Sequence, residues 1–243
     1  QNVLQSKDVE NITKAYYHDS AVSRTVTIDE VAQQEFILNP QRYIGIDTGI
    51  TGGIPLGELC VSINRGAMIR SGELDALVSK EETNYHYLML QKIQDGFIDS
   101  NLLTLTDIDE KYEKYCIIDE SLIISRTSPF KVAMAHVNRG EKILANGNLY
   151  FIELDGTKIN PVFAQLFLQS EAGMTQLNRL AKGAVVGNIS IRDLKTIQIP
   201  NVPREKQDSI VEEYNNLNDE LVVLERQADI IRDKRARLLE GVI

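Results

Sequence analysis

From Ile210 onward, apolar residues return at alternating intervals of four and three: Ile210, Tyr214, Leu217, Leu221, Leu224, Ala228, Ile231 and Leu238, with Arg235 holding the one charged place. This is an a/d heptad seam, and it is compatible with one secondary structure, a long α-helix. Pro203 stands near its start and no glycine interrupts it before Gly241. A helix of about 35 residues extends roughly 50 Å, beyond the reach of a small domain. A seam that narrow and that long needs a second helix to cover it, so coiled-coil pairing is expected over residues 203–243. A helix packing back on its own domain is the weaker alternative. Arg235 either loosens the distal end or meets an acidic partner there.

The preceding residues have no such regularity. Up to residue 43 the pattern is helix, turn, short helix. Val9, Ile12 and Tyr16 fall at helical spacing, and Thr27 with Glu30 forms a capping box ahead of Val31. Asn39-Pro40 ends that element, and the segment is too short to fold alone. Residues 44–202 read as one mixed unit. Pro55 to Leu59 suggests a helical turn, and β-prone runs follow at Cys60–Ile63, Tyr85–Ile93, Cys116–Ser125, Lys131–Val137 and Asn148–Leu154. Asp95-Gly96 is a hairpin signal. Asn160 and Pro161 open a helix expected to run to about Ala181, with Phe163, Leu166, Phe167, Met174, Leu177 and Leu180 on its apolar face. Ser190 caps a short turn, and Ile197 and Ile199 alternate as a last strand. Strand and helix do not alternate regularly, so the fold class is α+β: a mixed domain followed by a long helix.

Composition narrows the function. Hydrophobic residues at 43% and charged residues at 25% describe a chain that buries a core. No window approaches about 18 uninterrupted apolar residues, so no membrane span is expected. Cys60 and Cys116 offer neither a disulfide frame nor a zinc site. The chain opens at Gln1 without a basic-then-apolar leader and reads as a fragment with a cytoplasmic setting. The net charge of -9 argues against a phosphate partner until its distribution is considered. Residues 1–119 carry 10 basic and 19 acidic side chains, residues 120–206 carry 11 and 7, and residues 207–243 carry 5 and 9. One basic stretch thus lies within an acidic protein, though that asymmetry alone does not select nucleic acid.

Catalytic signatures are not found. His18, His86 and His136 lack ligand spacing, and no nucleophile elbow, phosphate loop or dinucleotide fingerprint occurs. Asn39-Pro40-Gln41-Arg42-Tyr43 approaches an amino-methyltransferase signature, but its aromatic is one place late. Glu141-Lys142 and Glu153-Leu154-Asp155 do not make a metal-nuclease strand. Neither catalytic nor metal residues are assigned.

Several stretches, in order, are similar to type I restriction–modification specificity subunits. They are Leu122-Ile123-Ile124-Ser125-Arg126-Thr127-Ser128 with Lys131-Val132-Ala133, and Gly147-Asn148-Leu149-Tyr150-Phe151-Ile152, then a helix from Pro161-Val162-Phe163 ending near Ser170. Next come Lys182-Gly183-Ala184-Val185-Val186-Gly187-Asn188-Ile189-Ser190 leading into Leu194, and finally Ile199-Pro200-Asn201-Val202-Pro203 with Gln207 and Ile210. The last resembles the entry into that family's long conserved helix. Val26 to Tyr43 resembles the C-terminal end of the adenine-N6 methyltransferase subunit of the same systems.

The resemblance implies a target-recognition domain over 44–202, preceded by a methyltransferase tail over 1–43. It implies double-stranded DNA as ligand, a methyltransferase subunit or domain using S-adenosylmethionine as partner, and in some assemblies a translocase or nuclease subunit. The chain departs from the pattern in carrying one recognition domain and one long helix instead of two of each, so a half-subunit of this kind would pair through Ile210 to Leu238. Candidate DNA contacts are Arg65, Arg70, Arg126, Ser128, Lys131, Lys182 and Asn188, with Gly183 and Gly187 admitting the sugar-phosphate closely. Arg126 and Lys182 lead this set. The alternative is a non-catalytic assembly module whose helix dimerises.

Overall fold

The computed structural model describes residues 6–19, 23–33, 36, 38, 43, 50, 52–181 and 187–239. It divides into two compact units, Gln1–Asn201 and Val202–Ile243. The first unit begins with α1 (Ser6–Tyr17) and α2 (Ile28–Gln33). The capping box forms as expected: the Thr27 amide donates to Glu30 Oε2 at 2.9 Å, and the Glu30 amide donates to Thr27 Oγ1 at 3.2 Å. Val31 is buried on the inner face of α2, whereas Val9, Ile12 and Tyr16 of α1 are all exposed. The Asn39-Pro40 boundary lies outside the described residues.

The core of this unit is a four-stranded antiparallel sheet in the order β2 (Cys60–Arg65), β10 (Leu149–Leu154), β7 (Ser121–Ser125), β8 (Val132–Ala135). Every residue of β7 and β8 is buried, which explains why their sequences are nearly continuous apolar runs. Side chains alternate across the sheet. Phe151, Ile123 and Ala133 stand in register on one face, and there they share a core with Leu88, Ile143 and Ala145 of a second sheet. That sheet is β6 (Leu103–Thr104), β3 (Tyr85–Leu88), β9 (Lys142–Ala145), with β3 and β9 parallel. On the first sheet, α5 (Pro161–Gln169) packs against β7 and β8. The short strands β1 (Ile54–Pro55) and β11 (Gln198–Ile199) pair antiparallel and bring the two ends of the domain together. Between β1 and β2 lies the expected helical turn, α3 (Leu56–Leu59).

Several expectations are corrected. The run Tyr85–Ile93 is not one strand: a 3-10 turn over Leu90–Lys92 separates β3 from β4 (Ile93–Gln94). The run Cys116–Ser125 yields a strand only from Ser121, because Glu120 adopts a left-handed φ of 57° that turns the chain. The helix from Pro161 does not continue to Ala181. It breaks at Ser170, whose extended backbone ends α5 and whose hydroxyl accepts from the Gly173 amide to open α6 (Glu171–Leu180). The reason is a tight corner: a Cβ on Gly173 would lie 2.3 Å from the Phe167 carbonyl oxygen. The helix end near Ser170 that the resemblance implied is the one found. Strands β6 and β9 and the helix α4 (Ser71–Leu77) carry no sequence signal that singled them out. The hairpin of β4 with β5 (Phe97–Ile98) forms as read, turning on Asp95 and Gly96 at φ 49° and 89°. Ser190 caps α7 (Ile191–Leu194) as expected.

The second unit is dominated by α8 (Arg204–Ala236), 33 residues followed by a 3-10 turn over Arg237–Leu239. Its first turn is fastened by Gln207 Nε2 donating to the Val202 carbonyl at 2.8 Å. Leu217, Leu221, Leu224 and Ile231 of the seam are all exposed. Leu238 falls in the terminal 3-10 turn, so the α-helical seam ends before it. No described helix is long and apolar enough to cross a membrane.

Candidate nucleic-acid interface

Strand register explains why distant candidates meet. Arg65, the last residue of β2, stands opposite Tyr150, and Ser125, the last of β7, stands opposite Leu149. The ends of both flanking strands therefore border the loop Asn146-Gly147-Asn148 that feeds the central strand β10. The approach is close. A Cβ on Gly66 would sit 2.2 Å from the Asn146 carbonyl oxygen, and the Gly66 amide donates to the Leu149 carbonyl. Asn146 is held in turn by donating to the Tyr87 hydroxyl at 2.6 Å.

Two arginines converge on this loop. Arg65 Nε donates to the Gly147 carbonyl at 2.9 Å, and Arg126 Nη1 donates to the same oxygen at 3.2 Å. One carbonyl with two lone pairs accommodates both. Arg126 Nε also donates to the Tyr150 hydroxyl, and its guanidinium lies 5.7 Å from the Tyr150 ring centroid. Arg65 Nη2 reaches the Met68 thioether, and Met68 is 70% exposed. Among the described residues neither arginine makes an ion pair with a carboxylate. Four lysines elsewhere do pair: Lys92, Lys111, Lys142 and Lys158 with Asp99, Glu73, Glu113 and Asp155. Two half-buried, unneutralised guanidiniums held side by side form a positive spot that attracts an anion or an acceptor-rich base edge.

The remaining candidates divide. Ser128 and Asn188 belong to the same region: the Ser128 amide donates to the Gly187 carbonyl at 2.8 Å, Thr127 and Asn188 form a β-bridge, and the Ser128–Pro129 bond is cis. Gly187 faces protein, since a Cβ there would lie 2.9 Å from Ala181 Cβ. That packing accounts for this glycine without a sugar-phosphate. Lys131 points elsewhere. Its ammonium donates to the Ile93 carbonyl at 2.6 Å and to the Leu90 carbonyl at 3.4 Å, bracing the β4–β5 hairpin. Arg70 is exposed at the N-cap of α4. Lys182 and Gly183 lie outside the described residues. Gly147 and Tyr150 lie in a stretch the resemblance picked out but were not singled out as site residues, because their contacts with Arg65 and Arg126 come from strand register.

Other chemistry is weakly served. Burial pushes the Cys60 and Cys116 thiols up, away from the thiolate form. Among the described residues no group of three or more His, Cys, Asp and Glu is placed to hold a metal ion.

Comparison with known proteins adds the following. The family model described as type I restriction modification DNA specificity domain matches residues 54–230. The S subunit of a type I restriction–modification system from M. genitalium aligns with 79% of this chain and 46% of its own, at 18% identity and a TM-score of 0.53. A structure of the type I R-M system, solved to explain complex assembly and conformational transition, aligns with 97% of this chain and 53% of its own, at 16% identity and 0.53. The type IIG restriction endonuclease BpuSI aligns over 85% of this chain and 33% of its own, at 12% identity and 0.52. At these identities the likeness is one of fold, and the chain spans about half the length of the first two. No curated protein matches it.

Proposed function

The chain belongs to the type I restriction modification DNA specificity domain family, and from that premise we propose that it recognises a short duplex DNA sequence through the Gly147 end of its main sheet. The observation that carries this reading is the pair Arg65 and Arg126, fixed on one carbonyl and free of ion pairs with described carboxylates. Ser128 and Asn188 extend the contact face, and Lys182 and Gly183 are further DNA contacts in this reading. Arg70 adds a phosphate contact. Lys131, spent on the Leu90 and Ile93 carbonyls, is left out of that face.

In this reading the chain is non-catalytic. It directs adenine-N6 methylation by a methyltransferase that uses S-adenosylmethionine, joined to this chain or bound as a subunit; residues 1–43 are that enzyme's tail. The seam of α8 pairs with a second helix, giving a half-subunit its missing half, and a translocase or nuclease subunit joins the assembly.

The test is selection from a random duplex pool at moderate salt. An enriched short motif is expected, lost in the Arg65→Ala/Arg126→Ala variant. Each removed phosphate contact lowers the slope of log K against log salt by about 0.9. Unselective, salt-insensitive retention that persists with the methyltransferase region restored would overturn the reading in favour of a protein assembly module.

A further inference from the structure

We propose that Tyr150 is a positioning residue for base discrimination, its hydroxyl locking Arg126 and the 187–190 segment into one arrangement. This rests on the DNA-reading function above. Tyr150 is 3% exposed, so its hydroxyl serves the protein interior and not solvent. It accepts from Arg126 Nε at 3.2 Å and donates to the Ile189 carbonyl at 3.0 Å. The Ile189 amide in turn donates to the Arg126 carbonyl at 3.0 Å. A closed ring results, running through the Arg126 side chain, the Tyr150 hydroxyl, the Ile189 peptide and the Arg126 backbone. Ser128 and Gly187, bonded across the same two segments, extend it.

Packing alone does not require this hydroxyl, because a phenylalanine ring fills the same volume and keeps the cation–π contact. What the hydroxyl adds is direction. A phosphate accepts a guanidinium over a wide range of angles, whereas a base edge needs its donor within a few tenths of an ångström. Pre-ordering Arg126 therefore favours sequence reading more than backbone grip, and it removes an ordering cost from binding. Among the described residues Arg126 keeps Nη2 and part of Nη1 uncommitted, so the tether leaves donors for DNA.

The test uses the full chain, its selected motif and a scrambled duplex, each at several salt concentrations. For Tyr150→Phe, affinity for the motif should fall about tenfold, the loss of one hydrogen bond to a charged group. Affinity for the scrambled duplex should hold within about twofold and the salt slope should not change, because no cation is removed. Arg126→Lys keeps the charge and loses the tether; it should reproduce the loss of discrimination, and the double variant should be no worse than Arg126→Lys alone. An unchanged ratio in Tyr150→Phe would overturn the proposal. Equal weakening on both duplexes with a lower unfolding midpoint would also overturn it, leaving the hydroxyl a fold role only. If the native chain does not distinguish the duplexes, the DNA-reading function falls and this proposal with it.

Discussion

Two glycines border the arginine pair, and their surroundings predict different consequences. A Cβ on Gly66 would meet only backbone, with the Asn146 and Ala145 carbonyl oxygens at 2.2 and 2.5 Å. Neither can move without opening the contact between β2 and the loop feeding β10. Gly66→Ala should therefore cost about 2–4 kcal/mol in urea unfolding. A Cβ on Gly147 would first meet Met68 Sδ at 2.3 Å, the flexible end of an exposed side chain. Gly147→Ala should cost only about 1 kcal/mol of stability while displacing Met68 from Arg65, so its larger effect should appear in DNA affinity. A separate, exposed cluster contributes to the acid limb. The Lys111 ammonium, then the Tyr112 hydroxyl, hold the Glu73 carboxyl below the usual carboxylate range, joining α4 to the turn at Glu110–Tyr115. A depressed folded pKa gives stability that is present above the unfolded value and lost as pH falls through the folded one. The unfolding midpoint should thus decline through the acid range, more steeply in the native chain than in Glu73→Gln.

At the scale of elements, α8 makes the firmest statement. Its 33 residues present Leu217, Leu221 and Leu224 to solvent within the described chain. Burying each against a partner is worth about 1.5–3 kcal/mol. Replacing all three by serine should weaken self-association at least a hundredfold by sedimentation, with the domain's DNA binding to a half-site retained. This helix was legible because heptad spacing is a local pattern that no tertiary contact is needed to complete. The capping box at Thr27 and Glu30, the hairpin at Asp95-Gly96 and the cap at Asn160 were legible for the same reason. The break at Ser170 was not, because apolar spacing continues through it from Phe167 to Met174 and the corner depends on Gly173 meeting Phe167. Strand β9, four residues long, is defined by parallel pairing to β3 some 57 positions earlier, which no periodicity announces. The site followed the same division. Arg65 and Arg126 were visible as cations beside turns, but their convergence on Gly147 and the support from Tyr150 are consequences of register. Lys131 shows the reverse: a candidate DNA contact at the head of a β-prone run by sequence, it is spent on the carbonyls of a neighbouring hairpin.

For the molecule as a whole, the net charge of -9 is compatible with a local positive patch because charge is distributed unevenly along the chain. Lys92, Lys111, Lys142 and Lys158 are matched to carboxylates, while Arg65 and Arg126 are not matched to any described one. Topology adds a further consequence. The first strand of the domain, at Ile54, pairs with the last, at Ile199, and β2 waits for β10. On a ribosome adding about 5–20 residues per second, Ile54 emerges roughly 7–30 seconds before its partner exists. The local pairs β3–β6, β4–β5 and β7–β8 can close early. For roughly 4–17 seconds of that time the nascent chain carries β2 with an open edge, a template for neighbouring nascent chains as much as for its own β10. Slow or stalled translation short of Ile199 thus releases a chain with unpaired strands, and the yield of native protein depends on the pace of its synthesis.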